Sequence, residues 1–506
     1  MRYRDITIAV LAAFALFRVV YLLVTPFGVS PDEAHYWEWS RRLALSYYSK
    51  GPGVAYVIAF FTTIFGDNAF GIRVGAVVFS TLGGWFIYLV GKEVFESEKA
   101  GFYGMFLMNL TPIFSIGSIL MTTDVLLVFF WAATVWCVNR ALGGRRAGWW
   151  YAAGLLIGLG FLTKYTMVLI IPCLLLFFLF SRKDRFWLRR YEPYGACLLS
   201  LITVTPVLYW NILNGEVTIK HTMGQAHIGS GVFSFKPFLE FIGAQAGLLT
   251  PFIFIALVWG ALRCVSFGFR YRRSGPVLLF FAGAPLFLFF LFKSLHGKVQ
   301  ANWAIAAYVT AYPAAAWAYL SLFENRGARS RRSLKALAWV TLSIGFVVSM
   351  LAYFPWALEA MGARNIIYRA PYNRVTGWAE LGDRVSQVKA GMEAQGGRTF
   401  IASDTYQITS ELALYVKGHP VTYNFKVGGR RMNQYDLWPG YDELKGYNAL
   451  YVKGGAVEIE PSVEAAFERC SREVFTMHRN GRVLKEFSFF RCYGFKGMES
   501  GTDMTY

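Results

Sequence analysis

Apolar stretches of about 20 residues recur from residue 5 to residue 356, and nothing else in the chain constrains its fold so strongly. A helix of about 20 apolar residues matches the hydrocarbon thickness of a bilayer. The length of 506 residues would by itself suggest about three soluble domains. Composition contradicts that reading: 55% of residues are hydrophobic and only 16% are charged, where soluble domains carry about 25% charge. A soluble enzyme, a disordered chain and a single-span receptor are excluded. The pattern predicts a polytopic α-helical membrane protein with a polar C-terminal addition.

About 11 spans are expected, over 5–24, 70–91, 100–119, 122–139, 148–163, 165–181, 193–213, 240–262, 276–292, 300–323 and 336–356. The apolar stretch 52–66 is short and opens with Gly51, Pro52 and Gly53, so it reads as a surface or re-entrant segment. The basic start leads into the first span without a small-residue cleavage site, so a retained span is expected and not a signal peptide. With the N-terminus inside, the inner segments hold 21 Lys and Arg and the longer outer loops hold 7. That asymmetry follows the positive-inside rule. It also accounts for the net charge of +19, so no nucleic-acid partner is expected. The odd span number then puts the C-terminus of this multi-pass chain outside. The expected division is a membrane domain over 1–358, with a first outer loop at 25–69, and an extracytoplasmic α/β domain over 359–506.

In the tail, RTFIASD and NALYVKG read as strands, and TYQITSELALYVKG has apolar positions at helical spacing. The end reads as a hairpin turning at Asn480-Gly481. Cys470 and Cys492 flank it and are a possible disulfide in an oxidising compartment. QYDLWPGY is aromatic enough to stack on sugar rings, but a folded-core strand is the preferred reading.

Ionisable residues near a membrane are costly and point to function. On this topology Asp32, Glu33, Lys50, Arg73, Asp124, Lys164, His221, His296 and Lys298 all fall at the outer face. Such clustering suggests a reaction or binding site at the outer boundary, where scatter over both faces would suggest a transport path. Structural readings exist for each. Asp32-Glu33 after Ser30-Pro31 suits a helix N-terminus, as does Asp124. Lys50 suits snorkelling. Tyr36 and its neighbouring tryptophans suit an interfacial belt. His221 and His227 are six apart, a poor metal-ligand spacing on a helix. No nucleotide-binding glycine loop is present in proper context. A carboxylate can take a proton from an attacking hydroxyl, and Lys or Arg can stabilise a departing phosphate.

The ordered motifs PDEAHYWEW, YYSKGPG, GIRVG, MTTDVLLVFF and GLGFLTKY, followed by WNILNGEVTIKHTMGQ and GKVQANWAIAAY, resemble those of the GT-C-fold glycosyltransferases of the protein O-mannosyltransferase and lipid A aminoarabinose transferase group. The resemblance covers about 1–320. It implies an inverting transfer of a monosaccharide from a polyprenyl-phosphate-linked donor to an extracytoplasmic acceptor, a glycan or glycolipid more than a protein. It implies Asp32 as general base, with Glu33 and Asp124 shaping the acceptor and base environment. Lys50, Arg73, Lys164 and Lys298 would bind the donor phosphate, and the 54–66 segment would help form the lipid-tail groove. Tyr36, Tyr48, His221 and His296 belong to the acceptor or sugar region. In the aminoarabinose branch an acid precedes the loop lysine and contributes to a metal site; here Ser49 stands there, so no required cofactor is expected, although a divalent metal is not excluded. The alternative is a transporter or flippase of a lipid-linked glycan.

Overall fold

The computed structural model describes residues 2–144, 146–226, 233–362, 366, 368–369, 371–427 and 431–498. Among the described residues, seven helices are long and apolar enough to cross a bilayer: Tyr3–Val24, Ala69–Phe95, Thr123–Gly144, Tyr191–Leu213, Pro251–Arg270, Ser274–Lys293 and Ala328–Tyr353. The other expected spans are made of shorter or broken helices. The 100–119 stretch becomes two helices, Glu98–Asn109 and Pro112–Gly117, because Pro112 cannot continue the backbone ladder. The 165–181 span starts as a 3-10 turn, Tyr165–Leu169. The expected span at 240–262 requires correction: Thr250 has φ +68° before Pro251, so one helix ends at Leu249 and another begins.

The N-terminal helices position the site. Helix α1 is Tyr3–Val24, α2 is Pro31–Ser40, α3 is Gly53–Phe65 and α4 is Ala69–Phe95. The 52–66 stretch is thus a 13-residue helix, too short to span about 30 Å of hydrocarbon at 1.5 Å per residue. Helix α2 is not apolar on average, yet seven of its ten residues are buried. It lies under the C-terminal domain, with Trp37 and Trp39 in a core that also takes Ala413 and Leu414 from the tail. Aromatic side chains of α2 therefore serve as core and not as a belt.

The tail folds around one five-stranded sheet of order β2-β1-β3-β5-β4, with β1 at Thr399–Ser403, β2 at Thr422–Asn424, β3 at Asn448–Gly454, β4 at Arg469–Arg479 and β5 at Arg482–Tyr493. β1 is parallel to both β2 and β3, and β5 is antiparallel to β3 and β4. The helix Trp378–Ala394 packs Leu381 and Val385 on the sheet core, with Ile408 and Leu412 of the helix Tyr406–Tyr415 beside them. The hairpin turns at Asn480 and Gly481, both with positive φ, as two-residue hairpin turns favour. Cys470 and Cys492 are directly opposed across β4 and β5 and are joined as a disulfide. QYDLWPGY is not a core strand: it forms a short 3-10 turn, Gln434–Asp436, and an irregular loop, because the Asn433–Asp436 capping box and Pro439 break any ladder.

Candidate active site

Helix α2 begins with a reciprocal cap. Ser30 donates its N–H to Glu33 Oε2 at 2.8 Å, and Glu33 N–H donates to Ser30 Oγ at 3.4 Å. Glu33 is fully buried, and Arg73 of α4 clasps it through Nε to Oε1 at 2.8 Å and Nη2 to Oε2 at 2.6 Å. Met121 N–H adds a third donor at 2.9 Å. Burial alone would push the Glu33 carboxyl up; the Arg73 charge and these bonds outweigh it and hold the carboxyl below its ordinary range. Arg73 is only 2% exposed, and four of its five N–H groups are taken, two by Glu33 and one each by the carbonyls of Phe27 and Gly28. Arg73 is thus turned to a buried carboxylate, where a lipid phosphate was expected, and Glu33 ties the N-terminus of α2 to α4.

Asp32 differs from its neighbour, with a side chain 44% exposed. Tyr406 donates to its Oδ1 at 3.1 Å, and Arg374 lies 3.5 Å from Oδ2. Both partners come from the C-terminal domain, and neither was singled out from sequence, because nothing local in their segments marks contact with residue 32. Tyr36 lies one helical turn from Asp32. Burial first, then the Asp32 charge, Tyr406 and the Asp124 charge push its phenol well up, so Tyr36 is a neutral phenol near both acids.

Asp124 forms an ion pair with Lys164 through Oδ1 and accepts from Asn302 Nδ2 at 2.8 Å through Oδ2. Lys164 falls in the extended break between Ala147–Thr163 and the turn that follows, which aims its side chain at the acid. Asn302 lies within the GKVQANW motif, but its pairing with Asp124 was not expected. Lys50 approaches the same place. A Cβ on Gly51 would meet Leu162 O at 2.2 Å, and one on Gly53 would meet Thr163 Cγ2 at 2.7 Å. The KGPG segment therefore needs both glycines to lie against the helix end that carries Lys164. Among the described residues Lys50 has no hydrogen-bonded or ion-paired side chain. Burial and the Lys164 charge lower its amine to about 8, against the opposing pull of Asp124 and Asp32.

Of the remaining expected residues, Tyr48 and His221 meet ring to ring at 4.7 Å beside Lys50. Burial, Lys50 and Arg431 lower His221 to about 4, so its imidazole is neutral at pH 7. His227 lies outside the described residues. His296 and Lys298 are exposed; the His296 ring packs on Phe292 at 5.2 Å. The structure brings neither into the cluster of acids. Gln434 and Tyr435 of the tail, by contrast, hold the first loop: Tyr48 N–H donates to Gln434 Oε1 at 2.7 Å, and the Tyr435 hydroxyl binds Glu38.

The arrangement offers an accessible carboxylate oriented by a phenol and a guanidinium, a second carboxylate held by Lys164 and Asn302, and a nearby unpaired amine. It suits proton removal from a hydroxyl on one side and binding of a phosphate on the other. A divalent cation does not fit these residues as donors: Asp32 and Asp124 already have cationic or amide partners, and residue 49 is serine. Among the described residues no group of three His, Cys, Asp or Glu side chains gathers elsewhere.

The family model described as dolichyl-phosphate-mannose-protein mannosyltransferase matches residues 49–210. The lipid A galacturonosyltransferase RgtD of Rhizobium johnstonii is 28% identical over 404 residues, covering 80% of this chain and 81% of that one. The undecaprenyl phosphate-alpha-4-amino-4-deoxy-L-arabinose arabinosyl transferase of Pseudomonas savastanoi pv. phaseolicola is 29% identical over 203 residues, covering 34% of this chain and 35% of the other. The crystal structure of ArnT from Cupriavidus metallidurans in the apo state superposes with a TM-score of 0.65 at 14% identity, over 96% of this chain and 97% of that one. The chain has the GT-C fold of ArnT, and residues 49–210 are similar to the dolichyl-phosphate-mannose-protein mannosyltransferase family.

Proposed function

We propose that the chain moves a monosaccharide, with inversion, from a polyprenyl-phosphate-linked donor to a glycolipid or other glycan at the outer face of a bacterial inner membrane. The observation that supports this reading is the Lys50 amine, unpaired among the described residues and near enough to Asp32 and Asp124 to feel their charges. Asp32 takes the proton from the acceptor hydroxyl as that oxygen attacks the anomeric carbon. The bond from that carbon to the donor phosphate breaks, and the phosphate leaves onto the Lys50 ammonium. Tyr406 and Arg374 keep the Asp32 oxygens aimed, and the Lys164 and Asn302 contacts hold Asp124 in place. Similarity to ArnT, a relative of which a structure bound to undecaprenyl phosphate exists, supports the lipid-linked donor.

An apolar cavity of about 230 Å³ is available for the lipid tail between the helices Pro251–Arg270 and Ser274–Lys293. Its wall includes Ala307 and Tyr308, from the same turn that carries Asn302 to Asp124. α3, expected to form the groove, does not line it.

The test is a transfer assay with purified chain in nanodiscs, a radiolabelled polyprenyl-phosphate sugar and an extracted glycolipid fraction. Label should pass to the acceptor as free polyprenyl phosphate appears. Intact donor after prolonged incubation with every acceptor fraction would reject the reading.

Lys50→Ala should raise the donor KM by roughly tenfold to a hundredfold, since a hydrogen bond to a charged group is worth about 1.5–3 kcal/mol. The wild type should also bind donor less well as pH rises through about 8, where Lys50 loses its proton, and Lys50→Arg should move that fall to higher pH. A flat donor KM from pH 7 to 9 in the wild type would argue against phosphate binding by Lys50.

Sidedness follows from the charge asymmetry, and the Cys470–Cys492 disulfide suits an oxidising compartment. Reporter fusions after residues 144 and 440 should report opposite faces, the second outside. Signals from the same face would break the 11-span arrangement.

A further inference from the structure

A second cavity, of about 260 Å³, opens in the C-terminal domain beside the first loop. Four aromatic side chains line it, Tyr423, Tyr435, Trp438 and Tyr441, together with the cations Arg42 and Lys426. Trp438 and Tyr435 stand perpendicular, with ring centres 5.3 Å apart. The Arg42 guanidinium lies 4.4 Å over the Trp438 ring. The framework beneath is rigid: Asn424 donates to Ser403 O at 3.2 Å and to Thr409 Oγ1 at 3.0 Å, and accepts from Asn433 at 3.0 Å. The one carboxylate in the wall, Asp436, accepts from the Asn433 N–H at 2.7 Å, and its single charge stands against two cations. The lining is therefore aromatic and net cationic.

We propose that this cavity binds an anionic sugar residue, phosphorylated or carboxylated, of the acceptor glycan. The assignment rests on the proposed transfer reaction for the word acceptor, but on the cavity itself for the ligand class. Aromatic faces offer C–H-rich pyranose rings an apolar platform while polar edges stay wet. Guanidinium and ammonium groups recognise carboxylate and phosphate.

Its position suits an acceptor. Tyr435, in the cavity wall, binds Glu38 of α2 through its hydroxyl. Glu38 is six residues from Asp32, about 9 Å along a helix at 1.5 Å per residue. Between them the His35 ring contacts both Tyr406 and Tyr435, at 4.9 and 5.4 Å. Tyr406 in turn binds Asp32. An oligosaccharide seated by its charged residue in the cavity would pass outside the Tyr406–His35–Tyr435 packing, which fills the space along α2, to present a hydroxyl to the base. The cavity would then choose the acceptor without touching the reacting atoms.

The test titrates the full-length chain in nanodiscs with glucosamine 6-phosphate, galacturonic acid, galactose and inorganic phosphate, read by microscale thermophoresis. At least one charged sugar should bind tenfold or more tighter than galactose and than phosphate, and which one does so names the acceptor's anionic group. Trp438→Ala and, as a milder variant, Lys426→Gln should each weaken that binding at least fivefold, and Asp32→Asn should leave it unchanged. Equal binding of galactose, equal binding of phosphate alone, or binding untouched by both variants would overturn the assignment, as would no binding of either charged sugar. If wild-type chain transfers no sugar yet retains Trp438-dependent binding of a charged sugar, the transfer reading falls and the binding site stands.

Discussion

Asp32→Asn lowers the transfer rate by about 10²–10⁴-fold, the range that a positioned general base contributes. The amide keeps the shape of the side chain and can still accept from Tyr406, so folding and donor binding should survive. What it cannot do is take a proton at pH 7. The expected kinetic signature is a loss in kcat with the donor KM little changed. Tyr406→Phe should produce a smaller loss, because it removes the group that aims Asp32 Oδ1 and leaves the carboxylate in place. A variant Asp32→Asn with wild-type turnover would remove Asp32 from the chemistry.

Arg73→Ala should destabilise the folded chain by about 3–5 kcal/mol, the cost of leaving one partner of a buried ion pair without the other. Glu33 is fully buried and receives three of its donors from Arg73 and Met121. In the wild type its carboxyl is held low, so the pair's contribution is complete above the ordinary Glu pKa of about 4.3 and is lost as pH falls through the lower folded value. In Arg73→Ala burial is opposed only by the Ser30 and Met121 N–H bonds and raises the Glu33 pKa above its unfolded value. The variant should then lose stability as pH rises through the carboxylate range, the opposite slope. The double variant Glu33→Gln with Arg73→Met should recover a large part of the loss. Thermal unfolding in detergent from pH 4 to 8 measures both slopes. Equal stability of Arg73→Ala and wild type would show that the pair does not hold α2 in place.

The membrane architecture was legible because the bilayer writes its thickness into the chain as apolar stretches of one length. The places where it was read wrongly are backbone events that hydropathy does not register: the break at Thr250-Pro251 and the division at Pro112. Lys50, Asp32, Asp124 and Lys164 were found together because charges are rare in such a chain, and the folded structure brings them to one place. Arg73 was read as a phosphate ligand for the same reason. Rarity marks a charge as important without telling whether it faces a ligand or, as here, a buried carboxylate. Tyr406, Arg374, Asn302 and Tyr435 were not singled out because each acts across a long sequence separation, 374 residues in the bond from Tyr406 to Asp32. The loop QYDLWPGY shows the converse case. Its aromatic content was visible, but only the fold shows that those rings line a cavity with Arg42 from the first loop.

In the proposed reaction the acids and Lys50 act together on a polyprenyl-phosphate sugar. The most direct measurement is mass spectrometry of lipid extracts from cells that make the wild type or Asp32→Asn in place of the native enzyme. One polyprenyl-phosphate-linked sugar should accumulate with the variant and not with the wild type, and its mass identifies the sugar transferred. Identical lipid profiles in the two strains, with the donor demonstrably made by the host, would contradict the account.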